Sequence, residues 1–404
     1  ERRDDHQLAD AIATRSAAIA RWKKIYWDDF IPFAHGVRRL ATYYNDAVRP
    51  QDPYEFVGLL RDQPLVARQR NAAMGRLAQQ LAASAELRAA VQRLVAEYGG
   101  ALHWPAFRDE LMNGAAGAED FVRGFEEMNR RFLDIAFDQE RLHDQHEAVL
   151  RNLIELSQVA NASHASDSSA ADVVATLEQR LLDAVGQDRR DEALAVIETG
   201  RLSWRLRDDD NLLVARLESQ LLRALDVAAQ RLRDVGRLRA AGRPNDAHVE
   251  AMIQALRDPA GSPVTLQPVT KPPAAGLSRA ASGETPRQLI GQPASPGSAT
   301  GTVRCIHGRG DLGAFRQGEV LVCDAIQPTM THLVPLASAI VERRGGMLIH
   351  GAIIARELGI PCVNGVRDAA EVLNNGDLVT VDGHLGIVTV GAAEFELELG
   401  GEST

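Results

Sequence analysis

Apolar residues recur at spacings of three and four between Asp5 and Leu256, and runs of β-branched residues are scarce there. This spacing puts apolar side chains on one face of a helix, so it predicts an almost entirely helical region. One stripe predicts a helix of about seven turns, and it consists of Leu213, Leu217, Leu221, Leu225, Ala228, Leu232 and Val235. Residues 1–257 are therefore predicted to be all-α.

The pattern changes after residue 287 to short β-rich segments separated by glycine. These segments predict strands at Thr302–Ile306, Val320–Cys323, Ala339–Glu342, Pro361–Val363, Leu378–Asp382 and Gly386–Val390, with helices at Gly351–Leu358 and Val366–Leu373. We expect residues 288–393 to form a compact β/α domain, followed by a tail at 394–404.

The segment between these two regions, residues 258–287, has six prolines together with Gly, Ser and Ala, and it follows neither a helical nor a strand period. Such a composition predicts a flexible linker with an average span of about 30 Å. The chain is therefore predicted to be multidomain, with a helical domain tethered to a β/α domain.

Charge and cysteine content exclude several classes of function. The net charge of −10 and pI near 5.6 argue against nucleic-acid and anionic-membrane partners, which require a basic face. Only three residues are lysines, so a Walker-type lysine and Schiff-base chemistry are not expected. Cys305, Cys323 and Cys362 fit neither a disulfide framework nor a zinc site, which favours the cytoplasm. No apolar run has the length needed to cross a bilayer.

The most informative run is residues 345–361, GGMLIHGAIIARELGIP. A predicted strand ends at a double glycine, and His350 stands immediately before a predicted helix. Backbone N–H groups at a helix start favour an anion, so a phosphoryl group on His350 would be well placed. Gly346 and Gly351 leave space for a bulky donor. Taken by itself, a histidine before a helix is more often a cap or a surface residue.

The order of this run resembles the phosphohistidine signature of the swivelling, or mobile, domain of phosphoenolpyruvate (PEP)-utilising and dikinase-type enzymes, G-G-x-x-[ST]-H-x-A-I-x-A-R-x-x-G-I-P. The matching positions are the double glycine, His350, Ala352-Ile353, Ala355-Arg356 and Gly359-Ile360-Pro361. Other segments resemble the same domain in order along the chain: its opening strand and turn at 293–301, residues 318–322 followed by Pro328 and Thr331, and its closing segment at 376–383. The resemblance covers about residues 290–391 and implies a β/β/α swivelling domain with a phosphohistidine intermediate.

The resemblance departs from the signature at Ile349, where Ser or Thr is usual, so regulation through a hydroxyl at that position is not expected. Arg356 matches the signature, and either a salt bridge that holds the helix or a phosphate contact would explain it. Thr331 could contact phosphate or stabilise a turn.

Domain order favours one branch of these enzymes. About 14 residues follow Val390, with no place for a pyruvate-binding barrel. A helical region before the swivelling domain is similar to the order in rifampicin phosphotransferase and in phenylphosphate or cresol-phosphate synthases, which act in aromatic degradation. The resemblance implies that Mg-ATP on an ATP-grasp partner subunit or removed domain phosphorylates His350, leaving AMP and phosphate. The phosphoryl group then passes to a small, phenolic hydroxyl.

The acceptor site has weaker candidates in the helical region. His103 is a candidate base, and Arg205 and Arg207 could hold phosphate or acceptor. An aromatic pocket could be formed by Trp22, Tyr26, Trp27 and Trp104, although core packing is the alternative for each. Asp208, Asp209 and Asp210 are predicted to cap a helix. His143 and His146 could face a metal from one helix or belong to a solvated charged face, and no metal site is expected.

Other functions stay open on sequence alone. The chain could be a fragment of a rifamycin-type antibiotic phosphotransferase or of a PEP synthase-like enzyme. It could also be a phosphocarrier that relays phosphate from His350 to another protein and binds no small acceptor.

Overall fold

The computed structural model of this protein describes residues 4–30, 33, 35–61, 63–137, 140–159, 168–239, 243–266, 287–346 and 349–391. The N-terminal region is helical and the C-terminal region contains a large β-sheet, so the predicted fold class is confirmed. The described residues form two compact units. The first lies within 1–63, 134–143 and 168–278, and the second within 64–133, 144–167 and 279–404.

These units differ from the predicted domains, because residues 64–133 group with the C-terminal sheet. Most of the predicted linker, residues 267–286, and the predicted tail at 394–404 lie outside the described residues. The domain boundaries at residues 257 and 288 therefore stay a prediction.

The α-helices of the described residues are α1 (Asp5–Ile25), α2 (Gly36–Val48), α3 (Val66–Ala83), α4 (Ala85–Tyr98), α5 (Trp104–Gly114), α6 (Ala118–Met128), α7 (His146–Val159), α8 (Ser168–Val185), α9 (Arg190–Asp234), α10 (Val249–Arg257), α11 (His350–Leu358) and α12 (Ala369–Val372). Single π-helical turns follow α1 at Tyr26–Phe30 and α6 at Asn129–Leu133. None of the described helices combines the length and the apolar character needed to span a membrane.

The strands are β1 (Ala136–Phe137), β2 (Glu140–Arg141), β3 (Leu238–Arg239), β4 (Val264–Thr265), β5 (Gln288–Ile290), β6 (Gln292–Ser295), β7 (Ser298–Ile306), β8 (Val320–Cys323), β9 (Ala339–Glu342), β10 (Cys362–Asn364), β11 (Leu378–Asp382) and β12 (Ile387–Val390). The first four form two short pairs, β1 with β2 and β3 with β4. The other eight form one sheet.

The first unit is built around α9, which has 45 residues. The centre of the predicted stripe is buried, because Leu225 and Ala228 are fully buried and Leu221 and Leu232 are 3% exposed. They pack with apolar residues of α1 and α10 in one core cluster. The ends of the stripe turn away from the core, since Leu213 is 41% and Val235 67% exposed.

Two glycines allow α2 and α9 to cross at close range. A Cβ added at Gly200 would lie 2.6 Å from Cδ2 of Leu40, and one added at Gly36 would lie 2.8 Å from Cβ of Ser203. Contacts this short do not occur between real side chains, so an added methyl group would push the helices apart. Gly200 is therefore required by packing, although glycine weakens the interior of a helix.

The second unit contains a helical bundle and the eight-stranded sheet. Helix α3 packs on α6 and α7, and α4 packs on α5 and α7. Phe107, Phe121 and Phe125 are fully buried. Helix α7 also contacts the short helical turns at Arg309–Ala314 and Val334–Leu336 in the sheet region.

The order of the sheet is β5-β12-β11-β7-β8-β9-β10-β6. Its central strands β7, β8, β9 and β10 are parallel, and the outer pairings are antiparallel. Both β8 and β9 are buried at every position, as parallel strands covered on both faces are expected to be. One face packs Val320, Val322, Ala339 and Val341 with Ala369 and Leu373.

The opposite face carries the alternate residues of the same strands. Leu321 and Cys323 of β8, Ile340 and Glu342 of β9, and Cys362 of β10 lie there, because successive side chains point to opposite faces. Helix α11 contacts β6, β9 and β10, and its Gly351 lies against Glu342. One carboxyl group therefore lies within an otherwise apolar layer.

We predict that Gly200→Ala lowers the free energy of unfolding by about 1–3 kcal/mol, because its methyl group overpacks the contact with Leu40. Gly75→Ala is the matched control. Gly75 is also inside a helix, but nothing lies within 4 Å of its added Cβ, so we expect a gain of about 0.5–1 kcal/mol. Urea unfolding of the two variants checks the opposite signs. A gain for Gly200→Ala would contradict the close crossing.

Candidate functional site

His350 is the first residue of α11, between parallel strands β9 and β10. The double glycine before it has a conformation that other residues rarely adopt, since φ of Gly346 is +140°. The Asn364 side chain, fully buried at the end of β10, donates from Nδ2 to the Gly346 carbonyl oxygen at 2.7 Å. A Cβ added at Gly345 would lie 3.2 Å from Cα of Gly365. The loop before His350 is thus held against the end of β10.

The start of α11 has no side-chain cap. Ile349 occupies the N-cap position with an extended backbone, and its apolar side chain makes no cap hydrogen bond. A Ser or Thr at this position, as in the usual signature, would supply a capping oxygen. The departure at Ile349 therefore leaves the backbone N–H groups of the first turn without that oxygen.

A buried carboxyl group lies beside this helix start. A Cβ added at Gly351 would meet both Oε1 and Oε2 of Glu342 at 2.5 Å. The Ile326 N–H donates to Glu342 Oε1 at 2.6 Å, and Oε2 has no hydrogen-bond partner. Burial raises the pKa of Glu342 from 4.5 to about 7, opposed by the Ile326 hydrogen bond and by the charge of His350. His350 itself is half-buried, and both of its ring nitrogens are shielded from solvent.

The other predicted support residues lie in the same unit. Thr331 is fully buried and donates to the Pro328 carbonyl oxygen at 2.8 Å, a contact that supports the turn interpretation. Arg356 is on α11 and is 6% exposed. Its charge acts on Cys362, whose thiol pKa is nevertheless raised well above its usual value by burial and by Glu342. Cys362 is therefore a core residue, as predicted, and a poor nucleophile.

Trp104 belongs to an aromatic cluster in the helical bundle. Its ring stacks on Phe125 at 4.6 Å, on His146 at 5.2 Å and on Phe107 at 5.6 Å between centroids. Its Nε1 donates to Glu126 at 3.0 Å. His103, the candidate base, is exposed at the N-cap of α5 and forms no side-chain cap bond.

The interpretation of His143 and His146 as one helical face is wrong. His143 lies in a short turn and His146 is the first residue of α7, where its Nε2 is 2.9 Å from Asn129 Nδ2. Stacking on Trp104 makes His146 part of the aromatic cluster. Across the described residues, no group of three or more His, Cys, Asp or Glu side chains could hold a metal ion.

The remaining aromatic candidates, Trp22, Tyr26 and Trp27, belong to the first unit, whereas Trp104 belongs to the second. Tyr26 packs edge-on against Trp27 at 5.4 Å and stacks on Phe30 at 5.5 Å. Core packing does not explain Trp27, because 68% of it is exposed. Trp22 and Tyr26 are half-buried.

Arg205 and Arg207 lie in the middle of α9. Arg205 is half-buried and follows the buried Trp204. The predicted helix cap at Asp208, Asp209 and Asp210 is wrong, because α9 begins at Arg190 and continues through all three. Buried residues on both sides, such as Ile197 and Leu221, keep the helix intact through this charged segment.

Sequence reasoning missed Glu342, Asn364 and His332. Glu342 ends a strand, where a charged residue usually marks the exit to solvent, so its burial is not visible in the local pattern. His332 is fully buried, and burial together with the charge of Arg70 lowers its pKa to about 3. Also missed was a cavity of about 200 Å³ in the first unit, lined by Ser16, Ile19, Ala20, Lys23, Glu218, Leu221, Leu222 and Asp246.

Comparison with known proteins locates the similarity in the sheet region. Residues 315–386 match the model of the PEP-utilising enzyme, mobile domain. An uncharacterised phosphotransferase of Bacillus subtilis, YvkC, is 47% identical over 106 residues, which are 26% of this chain and 13% of that protein. A probable PEP synthase of Archaeoglobus fulgidus is 43% identical over 110 residues, 27% of this chain and 15% of that protein.

A PEP synthase of Aeropyrum pernix is 46% identical over 107 residues, 26% of this chain and 13% of that protein. The chain thus spans well under a fifth of the length of these relatives. A solution structure of Enzyme I aligns over 82% of both chains, at 13% identity and a TM-score of 0.21, too low to support an argument. The match to the mobile domain of PEP-utilising enzymes, residues 315–386, includes His350.

Proposed function

We propose that this chain is the phosphohistidine component of a dikinase-type phosphotransferase. His350 accepts a phosphoryl group that originates from Mg-ATP on an ATP-grasp partner and passes it to the hydroxyl of a small, phenolic acceptor. The observation that carries the proposal is the position of His350, at the start of α11 within the mobile-domain match. The names of the relatives, phosphotransferase and PEP synthase, support the reaction class.

Phosphorylation of His350, called loading below, requires a nucleophilic ring nitrogen and access for the phosphoryl donor. The lone pair of one ring nitrogen attacks phosphorus, and the bond from phosphorus to the donor oxygen breaks. The bound phosphoryl group then lies at the start of a nine-residue helix, whose dipole favours an anion by about 0.3–1 kcal/mol. Gly346 adds no side chain in the loop before His350, whereas the space at Gly351 is filled by the Glu342 carboxyl group and not left open for a donor.

In the second step, the phosphoryl group passes from His350 to an acceptor hydroxyl. The hydroxyl oxygen attacks phosphorus, the N–P bond breaks, and the hydroxyl proton passes to a base. His103 is our candidate base, since its exposed ring makes no cap contact with α5. In the first unit, and separately from His103, Trp27 offers an exposed aromatic face for a phenol and contacts Tyr26. Trp22, Arg205 and Arg207 are further candidates of that unit for the acceptor or its phosphate.

The nucleotide is assigned to the partner. Mg-ATP would supply the phosphoryl group there and leave as AMP and phosphate, as in the enzymes that the sequence resembles. We place the reaction in the cytoplasm, in keeping with three free, buried cysteines.

We predict that the chain gains one acid-labile phosphoryl group when incubated with Mg-ATP and an ATP-grasp protein that has no mobile domain of its own. His350→Ala should gain none, because the attacking nitrogen is absent. Intact mass before and after acid treatment measures the gain. His384→Ala is the matched control, since His384 is exposed in the same unit and should not change the loading.

Loading that persists in His350→Ala would contradict the proposal. So would a wild-type chain that gains nothing while the partner is shown to hydrolyse ATP. A gain with Mg-ATP alone would remove the need for the partner.

We also predict that the chain binds phenol without a partner and that Trp27→Ala weakens this binding about threefold to tenfold, the range expected for loss of one aromatic contact. Calorimetric titration of both proteins measures the effect. Tyr54→Ala, another exposed aromatic change, is the control and should bind as the wild type does. Absence of phenol binding, with loading of His350 intact, would favour a relay to another protein.

A further inference from the structure

The buried carboxyl group of Glu342 has no structural explanation of its own. It is fully buried on a sheet face that otherwise carries Leu321, Cys323, Ile340 and Cys362. Placing an ionisable group in such a layer costs free energy unless a nearby charge or hydrogen bond compensates. Ile326 satisfies one oxygen, and the other has no hydrogen-bond partner.

The carboxyl group lies against Gly351, the residue that follows the reactive histidine. Both oxygens lie where a side chain at residue 351 would begin, one residue after His350, and Gly351 is the residue that leaves this space. The charges of Glu342 and His350 interact favourably, which opposes the effect of burial. Ile349 supplies no capping oxygen to this end of α11, where the Glu342 carboxyl group lies against Gly351.

We propose that Glu342 is a positioning residue for His350, whose ionised carboxylate stabilises the positive charge that develops on the imidazole ring during phosphoryl transfer. This inference rests on the proposed function of His350. When one ring nitrogen attacks phosphorus, the other keeps its proton and the ring becomes a cation. A carboxylate beside the ring favours that cation, whereas a neutral carboxyl group does so only weakly.

The pH at which the carboxylate forms follows from its surroundings. With a pKa raised from 4.5 to about 7, Glu342 is mostly neutral at pH 6 and mostly ionised at pH 8. The groups that act on it come from β8 and the residue after it, from β10 and from α11. They are Cys323, Asp324, Cys362 and His350, and Asp324 in turn is paired with Arg343 and Arg344.

We predict that Glu342→Gln slows phosphorylation of His350 about tenfold at pH 8 and little at pH 6. The donor is phosphoramidate, which transfers its phosphoryl group to a ring nitrogen and releases ammonia, so that no partner protein is needed. The rate is followed by mass spectrometry of the peptide that contains His350, between pH 5.5 and 8.5. The measured quantity is the wild-type rate divided by the variant rate, in which titration of the donor cancels.

The shape of this ratio separates the proposed role from a structural one. Ionisation of Glu342 predicts a rise through pH 7 and a plateau above it, whereas a packing defect lowers the rate equally at every pH. Glu319→Gln is the matched control, because Glu319 is a buried carboxylate bound by Arg304, and its ratio should stay near one. Glu342→Asp keeps the charge and should recover part of the rate.

Gly351→Ala tests the contact between Gly351 and Glu342 by a change on the helix and not on the strand. Its methyl group would displace the carboxylate, so we expect a loss similar to that of Glu342→Gln, and no further loss when the two changes are combined. Gly310→Ala is the control, because nothing lies near its added Cβ. A flat ratio near one for Glu342→Gln, with His350 still loaded, would overturn the role of Glu342 alone. No phosphoryl group on His350 in the wild type would overturn the proposed function as well.

Glu342→Gln should raise the stability of the protein although it slows the phosphorylation of His350. A carboxyl group whose pKa is raised by folding stabilises the protein below pH 4.5, and this stabilisation is lost as the pH rises through about 7. Glu342→Gln should therefore raise the melting temperature relative to the wild type at pH 8 and raise it less at pH 5.5. Thermal unfolding at the two pH values measures this, and a variant that melts lower at pH 8 would contradict the buried charge.

Discussion

The organisation of the proposed phosphohistidine site depends on one constraint, the contact between the Glu342 carboxyl group and Gly351 at the start of α11. Strand β9 brings the carboxyl group into an apolar layer, and the absence of a side chain at residue 351 lets the helix begin against it. His350 precedes that glycine, so the contact at the helix start also brings an ionisable group close to His350. The rigid support on the other side is Asn364, which holds the glycine loop.

The stability of the sheet and the proposed chemistry at His350 depend on different residues. Strands β8 and β9 are buried at every position and would hold the sheet together without a carboxyl group. A fixed negative charge beside an imidazole stabilises a cationic ring without reorganisation when the phosphoryl group arrives. In the proposed mechanism, the helix dipole acts on the phosphoryl oxygens and Glu342 acts on the ring, so the two effects would stabilise opposite charges of the same intermediate.

Much of the sheet was predictable from sequence because its strands are short, β-branched and bounded by glycine. Strands β8, β9 and β11 begin and end where the pattern predicts, and α11 begins one residue earlier, at His350. Edge strand β5 was missed, since Gly291 ends it after three residues, whereas most of β6 lies in the segment 293–301 that resembles the opening strand and turn of the mobile domain. The three aspartates at 208–210 have the composition of a cap, but α9 continues through them because buried residues on both sides hold it.

The residues that surround His350 were less predictable from the sequence than His350 itself. His350 stands in an ordered signature, whereas the burial of Glu342 depends on a helix that returns over the sheet, which no local pattern predicts. The grouping of residues 64–133 with the sheet likewise depends on contacts between distant segments. The acceptor candidates divide between the two units. The proposal for the acceptor therefore depends on the exposure of single side chains, such as Trp27, more than on their spacing in the sequence.

The most direct test of His350 as the phosphoryl carrier is the phosphorus NMR spectrum of the chain after phosphorylation. We expect one resonance in the region of phosphorus–nitrogen bonds that is absent from His350→Ala and is lost on mild acidification. A resonance in the phosphate-ester region, or one that persists in His350→Ala, would contradict the assignment of His350 as the phosphoryl carrier.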